Sequence, residues 1–106
     1  EYFGAFDLID GEIVNVGVFG VGMDGVDVAH DEPTLHLYDL EVFEPYRRRG
    51  YGLAILGEVR ELAIDRGAQS VRLTVWAGND GARDLYRVAG FQPEYERLRF
   101  RLGELA

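Results

Sequence analysis

The chain has 106 residues, of which 47% are hydrophobic, and its formal net charge is −8 at pH 7. This length is enough for one domain with a single hydrophobic core, and no apolar run approaches the roughly 18 residues that cross a bilayer. Cysteine is absent, which excludes disulfides and thiolate metal sites. His30 and His36 do not form a recognisable metal cluster, so no metal site is expected. The cysteine content leaves the compartment open, and the expectation is a soluble, cytoplasmic protein that does not span a membrane.

The two parts of the chain differ in charge. Residues 1–46 contain eleven of the nineteen acidic residues and no arginine, whereas residues 47–106 contain all eleven arginines and the other eight acids. This difference predicts an anionic ligand on the second part of the domain and a cationic one near the first. Nucleic acid is not an expected partner, because a duplex is bound by a broad basic face and most of this surface should be acidic.

The first part of the chain has the pattern of a β-meander. Strands are predicted in four places: Tyr2–Ile9, residues 13–23, residues 26–29 and residues 35–42. Asp10-Gly11, between the first two, is a strong two-residue hairpin signal. Gly17, Gly20 and Gly22 lie inside the second strand and no helix follows them. They therefore indicate bends or bulges where another backbone packs closely.

The second part alternates between helices and strands. The predicted elements are a helix over residues 53–66, a strand over residues 70–76, a second helix and a strand over residues 95–102. Gly67 is a suitable end for the first helix, while Asn79 or Asp80 caps the second, which ends at Gly90. The expected fold is one α/β (α+β) domain, residues 1–106, with a mixed, mostly antiparallel sheet of about six strands and two main helices.

A glycine turn joins the strand of residues 35–42 to the first helix. Its sequence is Arg47-Arg48-Arg49-Gly50-Tyr51-Gly52. The amides of such a turn and the first N–H groups of the helix point at one place, where the helix dipole favours an anion. Gly50 and Gly52 allow a ligand to approach the backbone, and the three arginines add positive charge. Alternatively, these arginines form a solvated charged run without a ligand.

Two motifs lie on neighbouring elements of this predicted fold. Arg47-x-x-Gly50-x-Gly52 follows Val42-x-x-Pro45, and about 27 residues later comes Asn79-x-x-Ala82-x-x-Leu85-Tyr86-x-x-x-Gly90-Phe91. The first motif resembles the acyl-CoA pyrophosphate loop of the GNAT superfamily of N-acetyltransferases, and the second resembles that family's second signature. The match covers roughly residues 12–102. It implies a GNAT-like acyl-CoA N-acyltransferase fold, in which residues 1–46 form an acidic meander and residues 47–106 the portion that binds coenzyme A.

The resemblance implies how the donor, acetyl-CoA, is bound. The turn amides of residues 48–53 would hold its pyrophosphate, while its pantetheine lies in a gap between the strands of residues 35–42 and 70–76. Main-chain groups near Leu40 and Val42 would pair with the pantetheine amides, and the Leu40 N–H would polarise the thioester carbonyl. The implied donor-binding residues are Leu40, Val42, Arg47, Arg48, Arg49, Gly50, Tyr51, Gly52, Leu53, Asn79 and Tyr86.

The resemblance also implies direct transfer of the acetyl group to a primary amine, and the acidic first part favours a cationic acceptor. Tyr86 would lie beside the sulfur and protonate the departing thiolate, and Asn79 would touch the pantetheine arm. The residues alone allow plainer interpretations. Tyr86 lies on the apolar stripe of its helix, as a core residue would, and Asn79 is sufficient as a helix cap.

No motif identifies the general base that takes the proton of the amine. The candidates, in order of preference, are Asp39, His36 and Glu41, and a chain of water molecules leading to acidic residues is an equal alternative. Alternation along the strand places His36 and Tyr38 on one face and Asp39 and Glu41 on the other, unless a bulge intervenes.

The chain begins with Glu1 rather than methionine, and it lacks the strand and helices that usually precede this region in the family. Those elements wall the acceptor site, so the wall is missing, supplied by another subunit or part of a longer protein. The alternatives to an active enzyme are a fragment of a longer acetyltransferase and a catalytically degenerate domain that binds an acyl-CoA or a protein. A homodimer is expected if the strand edge bearing Arg97, Arg99 and Arg101 pairs with another chain.

Overall fold

The computed structural model describes residues 1–27 and 32–104. Their helices and strands are β1 (Tyr2–Ile9), β2 (Glu12–Asp27), β3 (Glu32–Val42), α1 (Tyr51–Asp65), β4 (Ser70–Leu73) and α2 (Asp80–Val88). Short 3₁₀ segments lie at Glu44–Tyr46 and Leu102–Glu104. The strands form one sheet in the order β1-β2-β3-β4, in which β1, β2 and β3 are antiparallel and β4 runs parallel to β3. The α+β class and the two main helices are therefore confirmed.

The sheet of the described residues has four strands, so the prediction of about six strands is wrong. The predicted strands of residues 13–23 and 26–29 are parts of the single strand β2, whose pairing with β3 is irregular between Met23 and Val26. Asp24-Gly25, between these two predictions, would produce a hairpin only if the segments on either side paired with each other, and here both pair with β3. Residues 28–31 lie outside the described residues. They include His30 and the end of the predicted strand of residues 26–29.

Residues 95–102 do not form the predicted last strand. Leu98 is 85% exposed and Phe100 is 69% exposed. An alternating pattern favours a strand, but a strand also needs a neighbour that satisfies its backbone hydrogen bonds. Within the described ranges this segment pairs with no strand of the sheet. β4 is also shorter than predicted, since it ends at Leu73 rather than at Trp76.

Helix α1 covers one face of the sheet and forms the core with it. Its buried side chains recur one helical turn apart and are Ile55, Leu56, Val59 and Ala63. They pack against Phe19 and Val21 of β2 and against Leu35 and Leu37 of β3. Because each large apolar side chain contributes roughly 1.5–3 kcal/mol when it is fully buried, this single layer between helix and sheet is the main source of stability.

Gly17 marks a close approach of two backbones in the centre of the sheet. It lies opposite Val42, and a Cβ atom at position 17 would lie 2.4 Å from the main-chain oxygen of Glu41. No side chain fits at that distance without moving β3. The prediction that this glycine permits close backbone packing is confirmed, and the same packing fixes the part of β3 that leads to the glycine turn.

We expect Gly17→Ala to lower the free energy of unfolding by about 1–3 kcal/mol, because the added methyl group overpacks the sheet. The matched control is Gly57→Ala, on the exposed side of α1, where a Cβ atom meets nothing within 4 Å. That substitution should raise the free energy of unfolding by roughly 0.5–1 kcal/mol, since alanine loses less entropy than glycine in a helix. Urea unfolding followed by circular dichroism measures both changes, and equal effects at the two positions would contradict the packing at Gly17.

Candidate active site

β4 pairs with only the first part of β3 and ends at Leu73. Their parallel pairing runs only from Thr34 to Leu37 on β3, whereas β3 itself continues to Val42. Among the described residues, nothing pairs with positions 38–42 of β3 on the side of β4. The structure therefore contains an open strand edge, and beyond the end of β4 the sheet has a gap beside this edge, where the resemblance implied one.

The backbone of Leu40 and Val42 faces this gap. The N–H of Phe43 donates to the main-chain oxygen of Val16 on β2, at 2.9 Å. Since successive residues of a strand direct their N–H and C=O groups to opposite sides, Glu41 and Phe43 pair with β2 while Leu40 and Val42 point away from it. The carbonyl oxygen of Val42 accepts a 2.8 Å hydrogen bond from Nε of Arg47. The open edge thus offers main-chain donors and acceptors to an extended ligand.

The glycine turn brings the N-terminus of α1 to the end of this edge. Gly50 is the N-cap of the helix, has a φ of 84° and supplies no side chain to bond the first amides. The first helical bond is donated by the Ala54 N–H to the Gly50 oxygen, at 3.2 Å. The N–H groups of residues 51–53 have no intrahelical acceptor, and together with the helix dipole they favour an anion. Arg48, with a φ of 66°, also adopts the left-handed conformation.

The first turn of α1 contacts different elements on its two sides. A Cβ atom on Gly52 would lie 3.0 Å from Cδ2 of Leu85, so this glycine allows α2 to pack closely beside the turn. On the other side, the hydroxyl of Tyr51 donates a 2.6 Å hydrogen bond to Oδ2 of Asp7 on β1. That bond, with a second from the Leu8 amide, lowers the pKa of Asp7, and the same bond raises the pKa of Tyr51. Tyr51 therefore anchors the helix start to β1.

Helix α2 holds Tyr86 and is capped by Asn79. The side chain of Asn79 accepts a 3.2 Å hydrogen bond from the Ala82 amide, so it does cap the helix. Tyr86 packs partly buried against the core, with its ring edge-on to that of Phe91 at 5.8 Å between centroids. Burial raises the pKa of Tyr86. Its hydroxyl makes no hydrogen bond within residues 1–27 and 32–104 and stays protonated at neutral pH, as a proton donor must.

A bulge places all three candidate bases on one face of the sheet. Gly20 lies opposite Asp39 and Val21 opposite Leu37, so Tyr38 is an extra residue in β3. The extra residue reverses the alternation, and His36, Asp39 and Glu41 share the face opposite α1. The prediction that His36 lies on the other face from Asp39 and Glu41 is therefore wrong, for the stated reason of a bulge. The His36 and Tyr38 rings contact each other at 4.6 Å between centroids.

Two residues that contact the predicted site residues, Tyr2 and Asp7, were not predicted from the sequence. Tyr2 donates a 2.6 Å hydrogen bond to Oδ2 of Asp39, and Asp7 accepts the bond from Tyr51 described above. Both contacts join β1 to residues far along the chain. Only the strand register brings them together, and that register leaves no local signal beyond the position of the glycines in β2.

Residues 1–91 match the family model described as Acetyltransferase (GNAT) family. The chain belongs to the GNAT acetyltransferase family. The match spans the open strand edge and also the glycine turn and α2, which contain the two motifs of the resemblance. The GNAT family uses acetyl-CoA as its acyl donor. In the described part of the chain, no group of three or more His, Asp or Glu residues could hold a metal ion, and no helix there is long and apolar enough to cross a bilayer.

Several relatives share this region. YycN of Bacillus subtilis, an uncharacterised N-acetyltransferase, is 36% identical over 63 residues, which are 59% of this chain and 40% of YycN. The thialysine N-epsilon-acetyltransferase of Bos taurus is 40% identical over 58 residues, which are 55% of this chain and 34% of the bovine protein. The match to this chain thus spans only about a third to two fifths of these relatives.

Solved structures show the same fold. A protein of Pyrococcus furiosus assigned as an acetyl transferase superimposes with a TM-score of 0.78 at 24% identity, over 95% of this chain and 64% of the other. The crystal structure of YycN superimposes with a TM-score of 0.72 at 28% identity, over 83% of this chain and 54% of YycN. The fold found here is therefore part of a larger architecture in both neighbours.

Proposed function

We propose that this domain binds acetyl-CoA and transfers its acetyl group to a primary amine, as a GNAT-type N-acetyltransferase. The observation that carries the proposal is the open edge of β3, which leads directly to a glycine turn and a helix N-terminus. An extended chain ending in a pyrophosphate has the shape and charge for this arrangement. The pantetheine amides would pair with Leu40 and Val42, and the pyrophosphate would bind the amides of residues 48–53.

The fit of this donor rests on two features of the described residues. The gap beside β3 leaves the N–H and C=O of Leu40 and the N–H of Val42 for a ligand, because their neighbours Glu41 and Phe43 pair with β2. At the turn, backbone amides rather than arginine side chains are the main anion donors. Arg47 is already bonded to the Val42 carbonyl, so it braces the turn, while Arg48 and Arg49 are exposed and supply positive charge.

The chemistry requires a base and an acid on opposite sides of the reaction. An amine with a pKa near 10.4 must lose a proton before it attacks, at a cost of about 4.6 kcal/mol at pH 7. The nitrogen then bonds to the thioester carbon and the carbon–sulfur bond breaks. We assign Tyr86 to protonate the departing thiolate, since a phenol of pKa about 10 loses only roughly 2 kcal/mol against a thiol of about 8.5. No acyl-enzyme is needed, and no cysteine could form one.

The acceptor we propose is a cationic amine. Asp39 and Glu41 lie on the face opposite α1, next to Leu40, and carry negative charge to the mouth of the gap. The name of the bovine relative supports an amine of this kind, since that protein acetylates an epsilon amino group. Where the wall of the acceptor site comes from depends on the whole protein, because the matched region covers a minority of each curated relative.

Acetyl transfer can be followed by the release of free coenzyme A, detected with a thiol reagent. Because the chain contains no cysteine, the whole signal comes from coenzyme A. We expect amine-dependent release with thialysine, lysine, a polyamine or a lysine-containing peptide, and none with an alcohol of similar size. Saturable binding of coenzyme A without release on any amine would instead favour a domain that binds acyl-CoA but needs another segment for turnover. Absence of both binding and release would contradict the proposal.

A further inference from the structure

Tyr2 reaches across a whole strand to contact Asp39. It lies opposite Gly20 of β2, and Gly20 lies opposite Asp39 of β3. A Cβ atom at position 20 would lie 2.5 Å from the Tyr2 ring, so a glycine is needed for the ring to cross the middle strand. The hydroxyl then donates its 2.6 Å hydrogen bond to Oδ2 of Asp39. Three residues in lateral register thus connect β1 to the strand that borders the gap.

Asp39 lies beside the Leu40 amide, on the face of the sheet that is open to an acceptor. Asp39 immediately precedes Leu40, whose N–H faces the gap, but its own side chain leaves the sheet on the face opposite α1. The core side of Leu40 is closed by α1, so an acceptor would reach a thioester held at the Leu40 amide from the face that carries Asp39. Asp39 and Glu41 are both exposed beside Leu40 on this face, but Asp39 directly precedes the Leu40 amide and has one of its two oxygens restrained by Tyr2.

We propose that Tyr2 is a positioning residue that holds the carboxylate of Asp39 beside the Leu40 amide, where its other oxygen takes the proton of the attacking amine. This inference rests on the proposed function and deepens it by naming the base and the residue that orients it. In the step, the proton moves from the ammonium nitrogen to Asp39, the nitrogen bonds to the acetyl carbon, and the carbon–sulfur bond breaks. The departing thiolate takes a proton from Tyr86, and the second proton of the nitrogen, lost as the amide forms, returns the Tyr86 phenolate to the phenol.

Two physical reasons favour orientation over a merely structural bond. An exposed aspartate samples several rotamers, and each misaligned rotamer lengthens the path of the proton, whereas a fixed carboxylate is available at every encounter. The Asp39 carboxylate also raises the pKa of Tyr2, through the hydrogen bond first and its charge second. The phenol therefore remains a hydrogen-bond donor over the whole range in which an amine could be acetylated.

The test compares Tyr2→Phe, Asp39→Asn and the double variant, using the amine of the panel that gives the highest rate. We expect Tyr2→Phe to lower kcat about tenfold and Asp39→Asn about a hundredfold, with the KM for acetyl-CoA unchanged. The double variant should be no slower than Asp39→Asn, because Tyr2 acts through Asp39. Tyr95→Phe is the control, since Tyr95 is 72% exposed and outside the sheet, and its kcat should match that of the wild type.

A second measurement tests the contact without activity. In an NMR titration of the tyrosine ring carbons, the pKa of Tyr2 should fall towards its ordinary value of about 10 in Asp39→Asn. An active wild type whose kcat is unchanged by Tyr2→Phe, or a double variant whose losses multiply, would overturn the inference alone. A wild type that transfers no acetyl group would overturn the proposed function and this inference together. A Tyr2 pKa that is the same in the wild type and in Asp39→Asn would show that the contact itself is absent.

Discussion

Replacing Gly50 with alanine should weaken the binding of coenzyme A by about tenfold, while Gly67→Ala should leave it unchanged. Both glycines flank α1 in the left-handed conformation, with φ values of 84° and 75°, and a Cβ atom at either position meets nothing within 4 Å. Each alanine should therefore strain its turn by a similar amount, roughly 1–2 kcal/mol. Only at Gly50 does relief of that strain displace the amides of residues 51–53 from a bound anion. A loss of 1.4 kcal/mol corresponds to the tenfold change.

The pair of variants separates binding from stability. Isothermal titration with coenzyme A measures the affinity, and urea unfolding should show comparable losses of stability for the two alanines. If both variants bound coenzyme A as tightly as the wild type, the glycine turn would be only a helix cap. Equal losses of affinity would show that general destabilisation, and not the geometry of the turn, explains the effect.

Replacing Tyr86 with phenylalanine should lower kcat at least a hundredfold and leave the affinity for acetyl-CoA unchanged. Phenylalanine keeps the edge contact with Phe91, so packing and fold should be preserved. What is lost is the hydroxyl that protonates the thiolate, and a positioned acid of this kind is worth about 10²–10⁴ in rate. Steady-state release of coenzyme A on the best amine gives kcat, and a parallel binding titration gives the affinity.

The pH dependence provides a further check on Tyr86. Because burial raises its pKa, the phenol stays protonated up to at least its ordinary pKa of about 10. The decrease of kcat at alkaline pH that is caused by deprotonation of Tyr86 should therefore appear above pH 10, provided that the protein remains folded there. A Tyr86→Phe variant with the kcat of the wild type would place Tyr86 among the core residues and require another source for the proton.

Local patterns explain why much of the donor site could be predicted from the sequence. The apolar stripe of α1 and the glycine turn before it depend on residues that are close in the chain, and both lie where the spacing indicated. Asn79 could be recognised as a helix cap for the same reason. The glycine turn that holds the pyrophosphate in the proposed function is of this local kind, whereas the open edge of β3 also depends on how β3 pairs with β2 and β4.

The features that the sequence missed depend on pairing between distant segments. The extra residue at Tyr38 exists only because β2 and β3 pair with unequal spacing, and it moves His36 onto the face of Asp39. The bond between Tyr2 and Asp39 joins residues 37 positions apart. Residues 95–102 show the opposite failure, because their alternation favours a strand while no neighbour in the described sheet pairs with them.

Amide NMR spectra of the chain, recorded while coenzyme A is added, test the central claim most directly. We predict saturable shifts at the amides of Leu40, Val42 and residues 51–53, with one equivalent bound. A groove of about 470 Å³ lies between β1 and α1, and the amides of Phe3, Ala5 and Phe19 on its strand side should remain unaffected. Shifts confined to that groove, or no saturable shift at millimolar coenzyme A, would contradict the assignment of the open β3 edge and glycine turn as the donor site.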